Sequence, residues 1–412
     1  MNILFLNAYF YPENIAFSHL EQDIMEGLVR AGHTLSVICP TPTRGISPEV
    51  TQQYKNVRHE DLNGVEVRRF IAPCEGKNPL IRAFRYFWCH FRGDMLAKRR
   101  KDIDAVFAVS TPPTQGFFAG KVAKKLGVPL IYSLQDVFPD SLASTGLSRE
   151  GSLLYRIGAR IERKTYARSS SVIVLCETVK QNLLSKGVPE KKLTVVNNWI
   201  DLSAVHPVKK EDNRLFGEFG IDREVFTVVY AGNFGASQGT DVILEAAKLL
   251  KDRRDIAFVI FGGGSEYEKA VRLKEQEKLS NVMLNPLLPS DRVPEVYSMG
   301  DVALITAKKG VGKTAMPSKL WTIMACGTRI IASFDTDSEL SEVLKRSGAG
   351  FCIEPETPQA LAQAIQNAFE DQKAGVQIDT ARAREYLTEH ASKKICVERY
   401  VQVIENAERS AE

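Results

Sequence analysis

The sequence predicts an α/β protein made of two doubly wound domains, each with a parallel sheet. Short apolar, β-branched runs alternate with segments of helical periodicity along almost the whole chain, and this pattern is typical of parallel strands covered by helices on both faces. The chain has 412 residues, more than one hydrophobic core usually serves, so two domains of roughly 200 residues each are expected.

The first half of the chain predicts one complete domain. Ile3–Asn7 is an apolar run typical of a buried strand, and the helix over residues 18–31 ends near His33, where a cation favours the helix dipole. Asn63 and Gly64 predict the turn of a hairpin. The remaining predicted strands and helices are Leu35–Cys39, Ala105–Val109, Thr114–Leu126, Leu130–Leu134, Leu153–Ala167, Val172–Leu175 and Leu193–Val196.

A polar linker over residues 201–222, which contains Pro207, separates the halves. Residues 225–232 then open a new strand, and the later predicted strands are Ile256–Phe261, Val282–Leu284, Val302–Ile305 and Arg329–Ala332. Two Rossmann-like domains facing across a cleft are the simplest architecture. The predicted boundaries are residues 1–205, 206–385, and a C-terminal helix over 386–412 that packs back toward the first domain.

Composition indicates an ordinary soluble protein. Apolar residues make up 44% and charged residues 25%, and the net charge is +4, which argues against disorder. The seven cysteines contain no C-x-x-C pair, so neither zinc nor a disulfide framework is indicated.

The first residues lack the basic region of a signal peptide, and no stretch approaches the ~18 apolar residues that cross a bilayer. We therefore expect a cytoplasmic protein.

The segment between Lys309 and Asp335 carries the sharpest functional signal. A glycine-rich loop is followed by Pro317, which could begin a helix, and then by a small-residue turn and a strand. This order places Lys313, Ser318 and Lys319 around a predicted helix N-terminus, where unpaired N–H groups and the helix dipole favour an anion such as a diphosphate.

Glycines also follow two predicted strands of the second domain. Gly232, Asn233, Gly235 and Gln238 lie in one loop, and Gly263 lies in the other. Glycine allows the backbone to approach a pyrophosphate closely, although a tight turn accounts for the pattern equally well. A dinucleotide fingerprint is disfavoured because the second cluster lies in the middle of its domain.

Polar residues follow strands of the first domain on the side where ligands bind. After Leu130–Leu134 come an amide and two carboxylates suited to hydroxyl recognition or general-base work, with helix capping as the alternative reading. The loop after the first strand adds further polar groups, or is a plain connection. The predicted ligand-facing residues of the first domain are Asn7, Tyr11, His19, Gln135, Asp136 and Asp140.

The segment from Lys77 to Lys101 has eight basic residues and one acid, a net charge of +7. On a helical wheel its aromatic residues share one face with arginines beside it, as in helices that lie in an anionic membrane surface. An ordinary domain helix is the alternative, and nucleic-acid binding lacks a recognition motif. The predicted membrane-facing residues are Arg82, Phe84, Arg85, Phe87, Trp88, Phe91 and Arg92.

Three longer motifs stand out in the chain: Gln135-Asp136-x-x-Pro139-Asp140-Ser141-Leu142, Gly232-Asn233-x-Gly235-x-x-Gln238-Gly239, and Pro317-Ser318-Lys319-Leu320 followed by Ala325-Cys326-Gly327. Together they resemble the GT-B-fold glycosyltransferases of family 4, in the bacterial branch that builds O-antigen, capsule and colanic acid. The similarity runs over nearly the whole chain.

The resemblance implies a retaining transferase without a metal or other cofactor. The second domain would hold a nucleotide sugar, with UDP and an N-acetylated or deoxy sugar expected. The first would meet a polyprenyl-diphosphate-linked saccharide at the cytoplasmic face of the inner membrane, and Asp136 would orient this acceptor. Glu339 matches a family glutamate near the donor.

The sequence departs from the wider family at its usual donor contacts. Asn233 and Gln238 replace the usual arginine and lysine, and Thr314 and Thr322 replace the usual glutamate pair. A leaving diphosphate still needs its charge stabilised. Lys319 is therefore the predicted catalytic cation, with Lys313 and either Lys308 or Lys309 as further candidates.

Two other functions stay open from the sequence. A GT-B epimerase acting on the nucleotide sugar alone would need carboxylates and histidines near the donor, and the second domain has a single histidine after the linker, His390. A catalytically silent nucleotide-sugar-binding partner would explain the absence of the glutamate pair.

Overall fold

The computed structural model describes residues 1–13, 17–75, 78–141, 149, 151–376 and 379–409. Asn14, Lys77 and Leu142, which belong to segments discussed above, lie outside the described residues. The chain forms two compact units, Met1–Asn198 with Cys396–Glu412, and Trp199–Ile395. The first unit therefore ends earlier than the predicted boundary at residue 205. Ile200 N donates to Ala391 O and Lys393 N donates to Ile200 O, and these bonds hold the segment after Asn198 in the second unit.

The strands of the first unit are β1 (Asn2–Leu6), β2 (Thr34–Pro40), β3 (His59–Leu62), β4 (Val65–Phe70), β5 (Ala105–Val109), β6 (Leu130–Leu134), β7 (Ser171–Val174) and β8 (Leu193–Val195). Its helices are α1 (Ser18–Arg30), α2 (Pro48–Tyr54), α3 (Pro79–Ala97), α4 (Gln115–Leu126), α5 (Leu153–Arg168) and α6 (Glu177–Ser185).

The strands of the second unit are β9 (Phe226–Asn233), β10 (Ile256–Gly263), β11 (Val282–Pro286), β12 (Val302–Thr306), β13 (Arg329–Ser333) and β14 (Gly350–Ile353). The later helices are α7 (Leu215–Glu218), α8 (Asp241–Leu249), α9 (Tyr267–Gln276), α10 (Val293–Ser298), α11 (Lys319–Ala325), α12 (Glu339–Ser347), α13 (Pro358–Lys373), α14 (Thr380–His390) and α15 (Lys393–Arg409).

The sheet of the first unit has the strand order β3-β4-β2-β1-β5-β6-β7-β8. Its neighbouring strands are parallel except β3 and β4, which form the hairpin expected from the sequence. Asn63 and Gly64 have φ values of 54° and 84°, the positive values that a two-residue hairpin turn requires.

The sheet of the second unit has the order β11-β10-β9-β12-β13-β14 and is parallel throughout. The order reverses between β9 and β12, and open sheets of this kind bind ligands at the carboxyl ends of the strands beside such a reversal. Apolar clusters cover both faces of the sheet. The predicted class, two doubly wound α/β domains, is confirmed.

The C-terminal helix α15 belongs to the first unit from Cys396 onward. Tyr400 OH lies 3.0 Å from Ser133 Oγ, near the carboxyl end of β6. A Cβ on Gly27 of α1 would lie 2.2 Å from Val397 Cγ1, so a glycine is needed where α1 and α15 approach each other. Across the described ranges, no helix has both the length and the apolar character that crossing a membrane demands.

Candidate functional site

The loops at the carboxyl ends of β9, β10 and β12 are joined to one another in the second unit. Strands β9 and β10 pair in register up to their last residues. Beyond them, Phe234 N donates to Gly263 O at 2.7 Å, and Lys308 N donates to Ser237 O at 3.0 Å. Backbone hydrogen bonds thus link the loop after β9 to the loops on both sides of it.

Lys319, the first residue of α11, reaches the last residues of β9. Its Nζ lies 4.1 Å from the centroid of the Tyr230 ring, a distance typical of a cation–π contact. A Cβ on Gly232 would lie 2.7 Å from Nζ. Glycine at this position therefore leaves the space that the ammonium occupies.

The ammonium of Lys319 is buried and unpaired. None of the described groups accepts a hydrogen bond from Nζ. Burial lowers the pKa of Lys319 to about 7, because a cation removed from water without an anion loses its hydration. Such an uncompensated charge is expensive to bury. A bound anion would compensate this charge.

The glycine-rich segment before α11 binds a carboxylate of the protein itself. Gly310 N donates to the two Asp335 oxygens at 2.9 and 3.0 Å, and Gly312 N donates to Asp335 Oδ2 at 2.8 Å. A Cβ on Gly312 would lie 2.8 Å from Ser338 Cβ, so the loop needs glycine there. Asp335, which the sequence patterns did not single out, accepts from both of these loop amides.

The other predicted donor-side residues differ in exposure. Lys313 and Asn233 are exposed, and Gly235, Gln238 and Gly263 are partly buried. Their contact with a donor stays a prediction.

Helix starts near the site differ slightly from the sequence-based expectation. Pro317 and Ser318 precede α11, which begins at Lys319, so the proline does not open the helix. Glu339 lies in the first turn of α12, where Ser338 Oγ accepts from Ser341 N at 3.4 Å. Ser338 is therefore the N-cap of α12.

The predicted acceptor-side residues near β1 have unequal exposure. Asn7 is buried, with its backbone N–H donated to Ile38 O. Tyr11 is 43% exposed, and its carbonyl accepts from Arg69 Nη2 at 2.6 Å. His19 is exposed on the first turn of α1.

Gln135 and Asp136 follow β6 directly. The Gln135 side chain donates to Ser133 Oγ at 3.2 Å and accepts from Asn198 Nδ2 at 3.0 Å, so its amide holds neighbouring segments of the first unit. The Asp136 side chain is exposed. Of these two residues, Asp136 is the one open to a ligand.

Asp140 is held by side chains of α5 and α6 and the residue after them. Its carboxylate accepts from Tyr155 OH at 3.0 Å and Asn182 Nδ2 at 3.1 Å, and it pairs with Lys186 at 2.9 Å. Burial would raise the pKa of Asp140, but the bonds from Lys186 and Asn182 outweigh it, and the pKa lies below its usual value.

Glu21 is a buried carboxyl that the sequence patterns did not select. It is 6% exposed, and its Oε2 accepts from Asn7 Nδ2 at 2.8 Å. Burial raises the pKa of Glu21 to about 8, although the bond from Asn7 opposes this. The signal in the sequence was an acidic residue at helical spacing from Ile24 and Leu28, on the apolar face of α1.

Within the parts of the chain that the structure describes, no three His, Cys, Asp or Glu side chains are grouped so that they could hold a metal ion. Metal-free chemistry stays a prediction.

Two protein-family models match the chain in succession. Residues 22–199 match the glycosyl transferase 4-like domain, and residues 211–392 match glycosyl transferases group 1. The chain belongs to the glycosyltransferases. The two matched regions of this glycosyltransferase correspond closely to its two units, so each unit carries one of the family's domains.

Curated relatives match the glycosyltransferase over most of its length. It is 25% identical over 380 residues to the putative colanic acid biosynthesis glycosyl transferase WcaI of Escherichia coli, covering 90% of this chain and 92% of the relative. It is also 25% identical over 340 residues to the probable glycosyltransferase WbjE of Pseudomonas aeruginosa, covering 82% and 81%.

Solved structures show the same fold. Sucrose-phosphate synthase from Thermosynechococcus elongatus superposes with a TM-score of 0.76 at 14% identity, covering 99% of each chain. HepE of Anabaena in complex with UDP gives a TM-score of 0.73 at 15% identity, covering 98% of this chain and all of HepE. These likenesses show the GT-B fold.

Helix α3 of the glycosyltransferase exposes a row of large apolar side chains, which we call the α3 face: Leu80, Ile81, Phe84, Phe87, Phe91 and Met95. The Trp88 ring lies between those of Phe84 and Phe91, with centroids 6.5 and 6.1 Å away. Trp88 Nε1 donates to Ile71 O at 2.8 Å, which fixes the indole beside this row.

The arginines predicted beside the α3 face have different surroundings. Arg82 is half-exposed and pairs with Glu75 at 3.2 Å, and the Arg92 guanidinium lies 6.0 Å from the Trp88 ring. Arg85 is fully buried and donates Nη1 to Pro73 O at 2.7 Å. Arg85 therefore does not flank the exposed face, because the opposite side of α3 packs on the unit's interior.

Proposed function

We propose that this glycosyltransferase moves a sugar, with retention of configuration, from a nucleoside-diphosphate sugar to a lipid-linked saccharide in surface-polysaccharide assembly. The observation that carries the proposal is the unpaired ammonium of Lys319 at the end of β9. A departing diphosphate is an anion that would complete this site. Preorganised charge at a leaving group is among the largest contributions to catalysis.

The proposed reaction needs little besides that charge. The bond between sugar C1 and the diphosphate oxygen breaks, and its electron pair stays on the diphosphate. The acceptor hydroxyl oxygen bonds to C1 on the same face, and its proton passes to the departing diphosphate oxygen. Lys319 stabilises the developing negative charge, while Asn233 and Gln238 supply neutral hydrogen bonds. Asp136, exposed after β6, orients the acceptor.

The proposed donor carries UDP and an N-acetylated or deoxy sugar. Support for UDP comes from the similarly folded HepE, solved with UDP and with UDP-glucose. Support for the polysaccharide role comes from the name of WcaI, which refers to colanic acid biosynthesis. In this proposal, Lys313 and Lys308 extend the cationic edge near Lys319.

We further propose that the α3 face rests on the cytoplasmic face of the inner membrane, where a polyprenyl-diphosphate-linked acceptor would lie. Large apolar side chains in a contiguous exposed row are unusual for a surface that faces water alone. Lys98, Arg99 and Lys101 follow α3 and are exposed or half-exposed, so cations lie next to the apolar row, as anionic lipids would favour.

Liposome flotation tests this surface. We expect the wild type to float with phosphatidylglycerol vesicles and the variant Phe84→Ser, Phe87→Ser, Phe91→Ser to stay at the bottom. Losing the burial of three half-exposed rings removes about 3 kcal/mol, or roughly 100-fold in partitioning. Leu249→Ser, at an exposed apolar position of the second unit, is the matched control. A wild type that does not float, or a triple variant that floats equally, contradicts the proposal.

Nucleotide release tests the reaction. A screen of UDP, GDP and dTDP sugars by protection against thermal unfolding first selects the donor. With that donor we expect free nucleotide to appear when membranes containing lipid-linked saccharide are present, and not without them. Conversion of the donor sugar without nucleotide release would identify an epimerase. Protection without either product would identify a silent binding protein.

A further inference from the structure

Polar and charged side chains meet where β1, β2 and β4 of the first unit end. These strands are parallel neighbours in the order β4-β2-β1, so their carboxyl ends share one edge of the sheet, the side on which such sheets bind ligands. Tyr9 follows β1, Arg44 follows β2 and Glu75 follows β4. Tyr9 OH donates to Glu75 Oε2 at 2.9 Å, and the Arg44 guanidinium lies 5.5 Å from the centroid of the Tyr9 ring.

Glu75 brings a second arginine to this edge, from α3. Its Oε1 lies 3.9 Å from Arg44 Nη1 and 3.2 Å from Arg82 Nε, so both guanidinium groups reach one carboxylate oxygen. The side chains of Arg44 and Arg82 are 53% and 48% exposed, whereas that of Glu75 is 10% exposed. The carboxylate is therefore largely covered and both cations are open to solvent. We call Tyr9, Arg44, Glu75 and Arg82 the arginine site.

Buried charges beneath the arginine site do not cancel its positive charge. Glu13 Oε1 accepts from Thr43 N at 2.7 Å and from Arg44 N at 2.9 Å, which fixes the backbone that carries Arg44. Arg85, which is fully buried, lies 5.6 Å from the centroid of the Tyr9 ring. With Arg85 and Glu13 included, three arginines face two carboxylates, so one positive charge is in excess and a bound anion would balance it.

The arginine site adjoins the α3 face. Arg82 directly follows Leu80 and Ile81 in the first turn of α3, and these two apolar side chains are 79% and 45% exposed. An anionic group bound at Arg82 would place an attached hydrocarbon chain beside this apolar row. A molecule with a charged head and an apolar chain thus fits both surfaces, whereas a soluble anion fits the arginines alone.

We propose that Arg44 and Arg82 bind the diphosphate of the polyprenyl-diphosphate-linked acceptor, with its hydrocarbon chain along the α3 face. This assignment rests on the proposed function, which supplies the lipid-linked acceptor, and it adds the residues that hold the head group. A guanidinium group pairs with phosphate oxygens through two N–H bonds, so two arginines match the two phosphates. Tyr9 and Glu75 are positioning residues, because they hold the guanidinium groups at the strand ends.

Vesicle flotation of the full chain tests the arginine site without a sugar donor. One set of phosphatidylcholine vesicles contains undecaprenyl diphosphate, and the other contains phosphatidylglycerol at the same surface charge. We expect the wild type to bind the first set about tenfold more tightly. The variant Arg44→Gln, Arg82→Gln should bind both sets equally. Arg30→Gln, at an exposed arginine of α1 that pairs with Glu26, is the matched control and should keep the preference.

Single variants and a soluble anion complete the test. Arg44→Gln and Arg82→Gln alone should each leave a preference of about threefold, and they decide the result if thermal unfolding shows that the double variant does not fold. Inorganic diphosphate at the concentration of the lipid should not release the wild type from the vesicles, because burial of the hydrocarbon chain adds affinity that the free anion lacks.

Three outcomes would overturn the assignment. They are equal binding of both vesicle sets by the wild type, an unchanged preference in the folded arginine variants, and release by inorganic diphosphate, which would assign the arginines to a soluble anion. Failure of the proposed function is distinguishable, since it appears as missing nucleotide release whichever vesicles the protein binds.

Discussion

Replacing Lys319 with methionine is expected to lower turnover by about 10²–10³-fold and at the same time to raise the Tm of the ligand-free protein. Turnover falls because the departing diphosphate loses the cation that stabilises its charge. The Tm rises by about 5 °C because methionine keeps the length of the side chain and removes a buried, unpaired charge. A lysine with a purely structural role would give the opposite change in stability.

The two readouts are nucleotide release at saturating donor and thermal unfolding without ligand. Lys345→Met is the matched control, since Lys345 is an exposed lysine of the same unit that pairs with Glu342, and both readouts should stay at the wild-type level. Wild-type turnover in Lys319→Met, or slow turnover together with a lowered Tm, would contradict the proposal that Lys319 stabilises the departing diphosphate.

The pH dependence of donor binding follows from the same ammonium. Its folded-state pKa is about 7, so the wild type loses the bound proton above pH 7 and donor affinity falls about tenfold per unit. The free energy of unfolding changes with pH in the opposite direction, because the folded-state pKa of Lys319 lies below its unfolded-state pKa. As pH falls from about 10 to 7, the wild type therefore loses stability relative to Lys319→Met. Donor titrations at several pH values should be flat for Lys319→Met.

Replacing Glu21 with glutamine is expected to stabilise the protein increasingly as pH rises. Glutamine keeps the bond with Asn7 and cannot ionise. The folded-state pKa of Glu21 is about 8, above the unfolded value of about 4.5, so wild-type stability from the neutral carboxyl is complete below pH 4.5 and is lost as pH rises through 8. The difference in unfolding free energy should grow from near zero to about 5 kcal/mol.

Urea unfolding of the wild type and of Glu21→Gln between pH 5 and pH 9 measures this difference. The two proteins share all other ionisable groups, so the contributions of those groups cancel when the unfolding free energies are subtracted. Glu26→Gln should run parallel to the wild type throughout, because Glu26 is exposed and pairs with Arg30 on the surface. Parallel curves for Glu21→Gln and the wild type would mean that the Glu21 carboxyl ionises normally in the folded protein.

Element prediction succeeded wherever burial imposed a periodic pattern. The fully buried runs of β5 and β6 have the bounds that the sequence predicted. Helix α2 was not predicted from the sequence. Tyr54 is the residue that it buries, so its sequence has no apolar stripe of helical periodicity to recognise. Its start carried a local signal, Ser47 before Pro48, with Ser47 Oγ accepting from Val50 N at 3.4 Å.

Site prediction was weaker because it depends on which side chains meet across loops. Lys319 was selected from its place after a glycine-rich loop, but its contact with Tyr230 and the space left by Gly232 join residues far apart in sequence. Asp335 had no local motif, although it binds the loop amides. Arg85 was placed with its exposed neighbours, since a helical wheel shows a face without showing what covers it.

Alternating periodicity and chain length alone determined two doubly wound domains, because parallel strands buried on both faces must be apolar and must be joined by helices. Tertiary structure decided which charges are paired. It left Lys319 and one oxygen of Glu21 buried without partners among the described residues, while it gave Asp335 and Asp140 full sets of donors. Helical spacing from Ile24 and Leu28 marked Glu21 for burial, but pairing depends on contacts between distant segments, so local sequence does not record which buried group finds a partner.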